Sequence, residues 1–393
     1  MKTLLIRLSF LPFALAIIWG AKTLWQQIEQ RDQAITQMEL MRMEQLTGDQ
    51  PVIQLALALD VSGSMEGLID QAQTRIWSLV NELATTSVKG QKPHLELALY
   101  AYGGDHFSPE RGFVRQLVPF TTDLDQFSEA LFALKTNGGE EYSGAVIDAI
   151  MKELAWNDNP ENLKLLFVAG NESFLQGTID PVQASKLAHE QGVTVNTIYC
   201  GPFGQGRALS WHLGAEQGGG QFLSIDHNLG LEDAPTPFDD QFGQLNARFN
   251  ETYVYYGDEG RYNAARTIKL DGFNSSKSTS AMCNRTTSKA NYASSIDNKS
   301  WDLVEAAADS TFQWAELDYK TLPEEFRNMK ESELQAQLQS YQKARAKIQQ
   351  EILEITKKRQ DYLSTLQKSG DSRLDDALIQ CVQKQAKAKG YDF

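Results

Sequence analysis

The chain has 393 residues, 41% hydrophobic and 22% charged, enough for one large core with attachments. Its 37 basic and 51 acidic residues leave a formal net charge of −14, with the basic ones scattered. That argues against nucleic acid as a partner, because an acidic surface repels phosphate backbones.

The chain opens on a basic start, Met1–Arg7, followed by Leu8–Ala21, which is uncharged and mostly apolar. That is the length of a signal-peptide core. The longer stretch Leu4–Trp25 can span a bilayer. Trp19-Gly20-Ala21 makes a poor cleavage site, and no Cys follows to make a lipoprotein box. Residues 1–25 are therefore expected to be an uncleaved signal anchor, with a cleaved signal peptide as the alternative. Residues 26–50 are polar and helix-prone and read as a stalk.

Val52–Leu59 is an apolar run that reads as a buried strand. It leads into Asp60-Val-Ser62-Gly-Ser64, where Gly63-Ser64 marks a tight turn into the next helix. One carboxylate and two hydroxyls thus fall at the carboxyl end of a strand, where open α/β sheets place ligands. A hard anionic oxygen with neutral oxygens suits Mg²⁺, with Mn²⁺ or Ca²⁺ as alternatives. The plain structural alternative is that Asp60 or Ser62 caps the following helix.

Further along, Gln71–Leu83 has helical spacing, and Leu95–Tyr102 and Phe113–Phe120 read as strands. Phe127–Leu134 and Val146–Leu154 read as helices, and Leu163–Val168 as a buried strand. Helix Pro181–Gln191, strand Val193–Cys200, helix Leu209–Gln217 and strand Gln221–Ile225 complete the series. Strands alternating with helices predict a doubly wound, mostly parallel α/β sheet covered on both faces.

The pattern Asp-x-Ser-x-Ser after a hydrophobic strand resembles the metal-ion-dependent adhesion site of von Willebrand factor type A domains. The resemblance covers roughly residues 51–228. It implies a Rossmann-like sheet and a divalent ion with one open position, filled by an acidic group of a protein ligand. Two further loops fit the family's frame but depart from it. Gly138-Gly-Glu140-Glu141-Tyr142-Ser143-Gly144 has Glu141 where the family has a metal-binding Thr. Ala169-Gly170-Asn171-Glu172 lacks the family's Asp, and Ala169 stands in its place. A carboxylate lost at Ala169 and gained at Glu141 would keep the charge around the ion. The expected metal ligands are Asp60, Ser62, Ser64 and Glu141. Asp105, Glu140, Tyr142, Asn171 and Glu172 are expected around the ion or against the ligand. The alternative is a decayed site in which Glu141 is a helix-start acid favoured by the dipole.

The same loops are similar to those of a narrower group of bacterial, envelope-associated type A proteins with no settled molecular role. Asn137-Gly-Gly-Glu-Glu-Tyr142, Ala169-Gly-Asn-Glu172, Tyr102-Gly-Gly-Asp105 and Trp301-Asp-Leu-Val304 carry that likeness. It implies an exported domain in the bacterial envelope, held at the inner membrane or released to the periplasm if the N-terminus is cleaved.

Beyond residue 228 the pattern changes. Leu231–Pro237 is acidic and contains prolines, a boundary signal, and residues 229–322 read as an appended lobe. Within it Phe249–Tyr256 reads as a strand, Ser275–Ser280 as a loop, and a helix starts at Trp301. Residues 323–393 are helical. Leu334, Leu338, Tyr341, Arg345, Ile348, Ile352, Ile355, Arg359, Tyr362 and Leu366 form a heptad seam. The two arginines weaken a simple coiled-coil dimer. Packing against the stalk or against the helix after Asp371 is weighed slightly above self-association through 331–367. Cys200, Cys283 and Cys381 show no zinc spacing, and a Cys283–Cys381 bridge is one option. The five histidines show no metal spacing, and neither a nucleophile elbow nor a phosphate loop occurs. The function expected is cation-dependent protein binding without catalysis. The alternatives are a metal-free scaffold working through its C-terminal helices and a hydrolase that activates water on the ion.

Overall fold

The structure is a computed structural model that describes residues 51–392 apart from 67, 85, 226–234, 293–297 and 367–373. The expected anchor and stalk, residues 1–50, lie outside the described residues, as does most of the Leu231–Pro237 boundary. Among the described residues no helix is long and apolar enough to cross a membrane.

Strand β1 (Val52–Asp60) is buried along its whole length. Its odd positions Ile53, Leu55, Leu57 and Leu59 enter one apolar layer, and Ala56 and Ala58 enter the other. This two-residue period sets large side chains on one face and small ones on the opposite face. β1 is central in a six-stranded sheet of order β3-β2-β1-β4-β5-β6. β2 (His94–Tyr102), β4 (Leu163–Gly170), β5 (Thr194–Tyr199) and β6 (Gly219–Ser224) continue it in parallel. β3 (Val114–Thr121) runs antiparallel at one edge, and its alternating burial fits an edge strand.

Helices α1 (Ile69–Ala84) and α2 (Leu124–Phe132) cover the face that carries the β1 leucines. α3 (Ser143–Glu153), α4 (Pro181–Glu190), the short α5 (Phe203–Ala208) and α6 (Trp211–Gln217) follow in chain order, and the opposite layer buries Val146, Ile147, Ile150, Ala188 and Trp211. The doubly wound arrangement expected from the sequence is therefore present, with each expected helix within a few residues of its place and the short α5 an addition.

The rest of the chain departs more. Phe249–Tyr256 is not a strand. It is the end of α7 (Asp239–Asn250) and an extended segment whose one bridge joins Tyr255 to Asp302. Ser275–Ser280 is not a loop. α8 (Gly260–Lys277) and α9 (Thr279–Tyr292) meet there with Ser278 as the break. After α10 (Leu303–Ala306), α11 (Glu331–Leu366) runs for 36 residues. Its seam packs against the appended lobe rather than against the helix after Asp371. Ile348, Ile352 and Ile355 pack with Phe242, Leu245 and Phe249 of α7 and with Cys283 of α9. Leu334 and Leu338 pack with Val254, Leu303, Val304 and Phe326.

The final helix α12 (Leu374–Ala388) joins the main sheet instead. Leu378, Cys381, Val382, Ala386 and Tyr391 belong to the layer that covers β1. The Tyr391 hydroxyl donates to the Val52 carbonyl at 3.0 Å, and Ser87 pairs with Asp392. The three cysteines are all buried and none is in a disulfide, so no Cys283–Cys381 bridge forms.

The two seam arginines are buried and paired. Arg345 Nη1 meets Asp302 at 2.6 Å and Glu305 at 2.7 Å, while its Nε and Nη2 donate to the hydroxyl and carbonyl of Thr252. Its guanidinium also lies 4.8 Å from the Tyr253 ring centre. Arg359 meets Asp239 at 3.1 Å and donates to Ser280. Asp302 is fully buried and also accepts from the backbone of Val254 and Val304. Removing one partner strands the other charge. Arg345→Ala is expected to cost about 3–5 kcal/mol of unfolding free energy in urea titration. An Arg345→Met, Asp302→Asn pair should lose clearly less than the two single changes summed.

Candidate metal centre

Three loops meet at the carboxyl ends of β1 and β4. The parity of β1 places Asp60 on the alanine side, in the sheet face covered by α3 and α4. Its side chain is fully buried. Oδ1 accepts from the Ser62 backbone N–H at 2.7 Å. Oδ2 is buried and has no hydrogen-bond partner among the described residues. Ser62 and Ser64 share a hydroxyl hydrogen bond of 2.9 Å.

The second loop closes over the first through backbone. Gly63 N–H donates to the Gly138 carbonyl at 2.6 Å, and Asn137 N–H donates to Val61. This delivers Glu141, half-buried, to Ser62, whose side chain hydrogen-bonds it. Gly103, at φ +83°, leaves the needed space. A Cβ there would lie 2.8 Å from Asp60 Oδ1 and 3.3 Å from Glu141 Cγ. Gly138 is packed as tightly on Asp105. Gly103 thus serves close approach of backbone to the two carboxylates, and Gly138 close approach of the two loops to each other.

The third loop supplies Asn171. Its Oδ1 accepts from the Ser64 hydroxyl at 2.9 Å, and its Nδ2 donates to the Ser64 carbonyl at 2.9 Å. Asn171 clamps Ser64 from both sides, a positioning part that its place in the motif alone does not disclose. The residue facing Asp60 from β4 is Gly170, where a Cβ would lie 3.2 Å from Asp60 Cβ. Ala169 lies in the opposite, apolar layer with Ile53, Ile198 and Cys200. A carboxylate exchange between Ala169 and Glu141 therefore has no geometric basis here. Of the surrounding residues, Asp105, Glu140 and Glu172 are exposed, and the Tyr142 hydroxyl donates to Glu140 at 3.1 Å.

The electrostatics follow from burial. Desolvation pushes the Asp60 carboxyl up to about 7, against the hydrogen bonds from Ser62, with the nearby Glu141 charge adding to the rise. Burial also raises Glu141, opposed by its Ser62 hydrogen bond. Tyr102, wholly buried beneath, is raised further, by desolvation and then by Asp60, while its hydroxyl donates to the Ala169 carbonyl.

An oxygen-only donor set suits a hard divalent cation. The orphaned Asp60 Oδ2, two linked hydroxyls and a second carboxylate fit such an ion. Among the described residues no group of three or more His, Cys, Asp and Glu side chains is placed to hold a metal.

Two outcomes are expected. In chelator, the folded state holds the Asp60 proton more tightly than the unfolded chain, whose ordinary value is 3.8. The stability this gives is full below about 3.8 and is lost as pH rises through about 7, up to ~4 kcal/mol in all. Urea titrations from pH 4 to 8 should show the fall, and Asp60→Asn should flatten it. Ala169→Asp should destabilise by at least ~3 kcal/mol without strengthening cation binding, because it buries a carboxylate among apolar side chains.

No protein-family model matches the sequence, and the search of curated proteins found no match. Solved structures give partial likenesses. The conserved hypothetical protein BatB from Bacteroides thetaiotaomicron is 17% identical, over 44% of this chain and 90% of that one, with a TM-score of 0.35. An aerotolerance-related membrane protein from Bacteroides fragilis is 15% identical, over 44% and 92%, with a TM-score of 0.32. Proximal thread matrix protein 1 from the mussel byssus, with a zinc-occupied MIDAS motif, is 12% identical over 46% of this chain and 43% of its own, with a TM-score of 0.35. At these scores the likenesses carry no functional information about the chain. Its own sheet order and covered faces make residues 51–225 a doubly wound, mostly parallel, Rossmann-like α/β fold, with helices added after it.

Proposed function

We propose that the chain binds a divalent cation, Mg²⁺ or Mn²⁺, through Asp60, Ser62, Ser64 and Glu141, and uses it to hold a partner protein in the bacterial envelope. The buried, unpartnered Asp60 Oδ2 is the observation that carries this reading. A carboxylate oxygen in that position is costly unless a cation or a proton meets it. The bound ion supplies positive charge and a coordination position open to an acidic group of a partner. Asp60 and Glu141 balance its two charges, Ser62 and Ser64 add neutral oxygens, and Asn171 holds Ser64 in place. Exposed Glu140, Glu172 and Asp105 surround the site. An acidic partner group is then attracted only while the ion is bound, which makes binding switchable by cation.

A ligand that binds only the folded state raises the melting temperature with its concentration. Millimolar Mg²⁺ or Mn²⁺ is expected to stabilise the full-length protein, with the shift absent in Asp60→Ala. Glu141→Gln should weaken cation affinity about tenfold, and Glu140→Gln should change it little. A melting curve indifferent to both cations would favour the metal-free scaffold instead.

A further inference from the structure

The sheet domain and the segment from α7 to α11 have separate cores. Among the described residues no apolar cluster holds buried side chains of both. The clusters of the sheet domain reach Ile225 and resume in α12, while Phe242, Leu245, Leu338 and Ile348 belong to clusters made by the segment alone. The two bodies meet where α8 and α9 lie on α1 and α2. A ring contact crosses there, Phe132 on Phe273, with centres 5.6 Å apart.

The ion pairs across this joint are sorted by sign. Asp123 meets Arg266 at 2.7 Å, Asp125 meets Arg285 at 2.5 Å, and Glu129 meets Lys269 at 2.8 Å. Among the described residues the carboxylates of these crossing pairs all belong to α2 and its N-cap, and the cations to α8 and α9. Amides add to them. Asn81 of α1 donates to the Asn284 carbonyl at 3.0 Å and accepts from the Ser288 hydroxyl at 2.5 Å. Charge segregated in this way is how two separate surfaces recognise each other. It sets register more than strength, because desolvation offsets most of the attraction of a buried pair.

The joint is also incompletely matched. Nη2 of Arg285 and Nε of Arg266 are buried there without a hydrogen-bond partner among the described residues. A cavity of about 430 Å³ lies beside both arginines, between residues 122–125 and residues 298–301 of the segment. Water reaches those N–H groups when the surfaces part, so parting recovers what their burial costs. The segment is held at both ends. β6 ends in the sheet at Ser224, and α12 returns to the core layer of the same sheet. Tethered in this way, a charged interface opens and closes within one molecule.

We propose that the segment from α7 to α11 is a lobe with its own fold that docks reversibly on α1 and α2, and that the closed lobe neutralises the acidic row Asp123, Asp125 and Glu129. Opening bares that row, and the matching row Arg266, Lys269 and Arg285, while both cores stay intact. The joint shares no residue with the proposed cation site, so the two stand or fall separately.

Full-length protein carrying Ser288→Cys provides the test, since Ser288 is buried in the joint at 1% exposure. The native Cys283, in the core of the lobe, and Cys381, in the core of the sheet domain, are buried too and report unfolding of either body. Alkylation by iodoacetamide is followed by peptide mass spectrometry, each rate divided by its rate in denaturant. The thiol introduced at position 288 is expected to react at least ~tenfold faster than Cys283 and Cys381. Its rate should rise severalfold between ~0.05 and ~1 M NaCl, and at least ~tenfold with Asp125→Asn, which takes a partner from Arg285 in the closed state alone. Should Ser288→Cys fail to fold, Asn291→Cys is the second probe, because the Asn291 side chain donates to the Asn81 carbonyl. An introduced thiol as slow as the native ones would overturn the proposal. So would a fast one whose rate either salt or Asp125→Asn leaves unchanged, since it would be reached with the lobe closed.

Discussion

The constraint on which the site depends is the burial of β1 on both faces. A strand covered on both sides has no solvent to which a polar side chain can turn. Its two-residue period then decides where each position points. Leucines fill the thicker layer under α1, α2 and α12, and alanines let α3 and α4 approach. Asp60 is the last residue of this strand and keeps its parity. It is therefore delivered into the protein rather than out of it, and the glycine-lined loops before α3 and after β2 close over it. The raised Asp60 carboxyl follows from strand geometry, before any ligand is considered.

Much of this was legible in the sequence because one-dimensional periods and glycine breaks determine it. Val52–Leu59 and Leu163–Val168 are unbroken apolar runs, and Asp60, Ser62 and Ser64 fall at a turn whose geometry Gly63 permits. Where the chain was misread, the deciding interaction was distant in sequence. Phe249 and Tyr253 look like strand residues, yet they face α11 and Arg345, roughly ninety positions on. Ala169 sits in a motif frame that suggested a lost ligand, but β4 parity turns it into the apolar layer. Asn171 has no local pattern that announces a clamp on Ser64, more than a hundred residues earlier. The helix after Asp371 is one of the partners that the sequence offers for the heptad seam, beside the stalk and a second copy. Its own apolar face instead completes the sheet's core, and no short-range signal separates the two.

The arginines in the heptad seam show the same limit in energetic form. Read along the helix, Arg345 and Arg359 are defects in an apolar stripe. In three dimensions each meets a carboxylate from another element, Asp302 and Asp239. Such pairs add little net stability, since desolvation offsets most of the attraction. They do penalise any register that separates them. A seam of leucine and isoleucine alone would accept several offsets. With Arg345 held by Asp302, Glu305 and Thr252, α11 has one position against α10.

Two buried carboxylates in the one molecule show what separates structure from function. Burial works against the ionised form of both. Asp271 is nonetheless held well below the usual carboxylate range, by Lys289 and Arg285 and by the amides of Asn246 and Asn250. Its charge is fully answered by the chain, so it asks for nothing further. Among the described residues Asp60 has no cation near it, a second carboxylate for a neighbour, and one oxygen, Oδ2, without a hydrogen-bond partner. A chain that builds complete partners around Asp271, Asp302 and Asp239 has the means to do so at Asp60 and does not. The missing counter-charge is thus local and specific to Asp60 among these carboxylates.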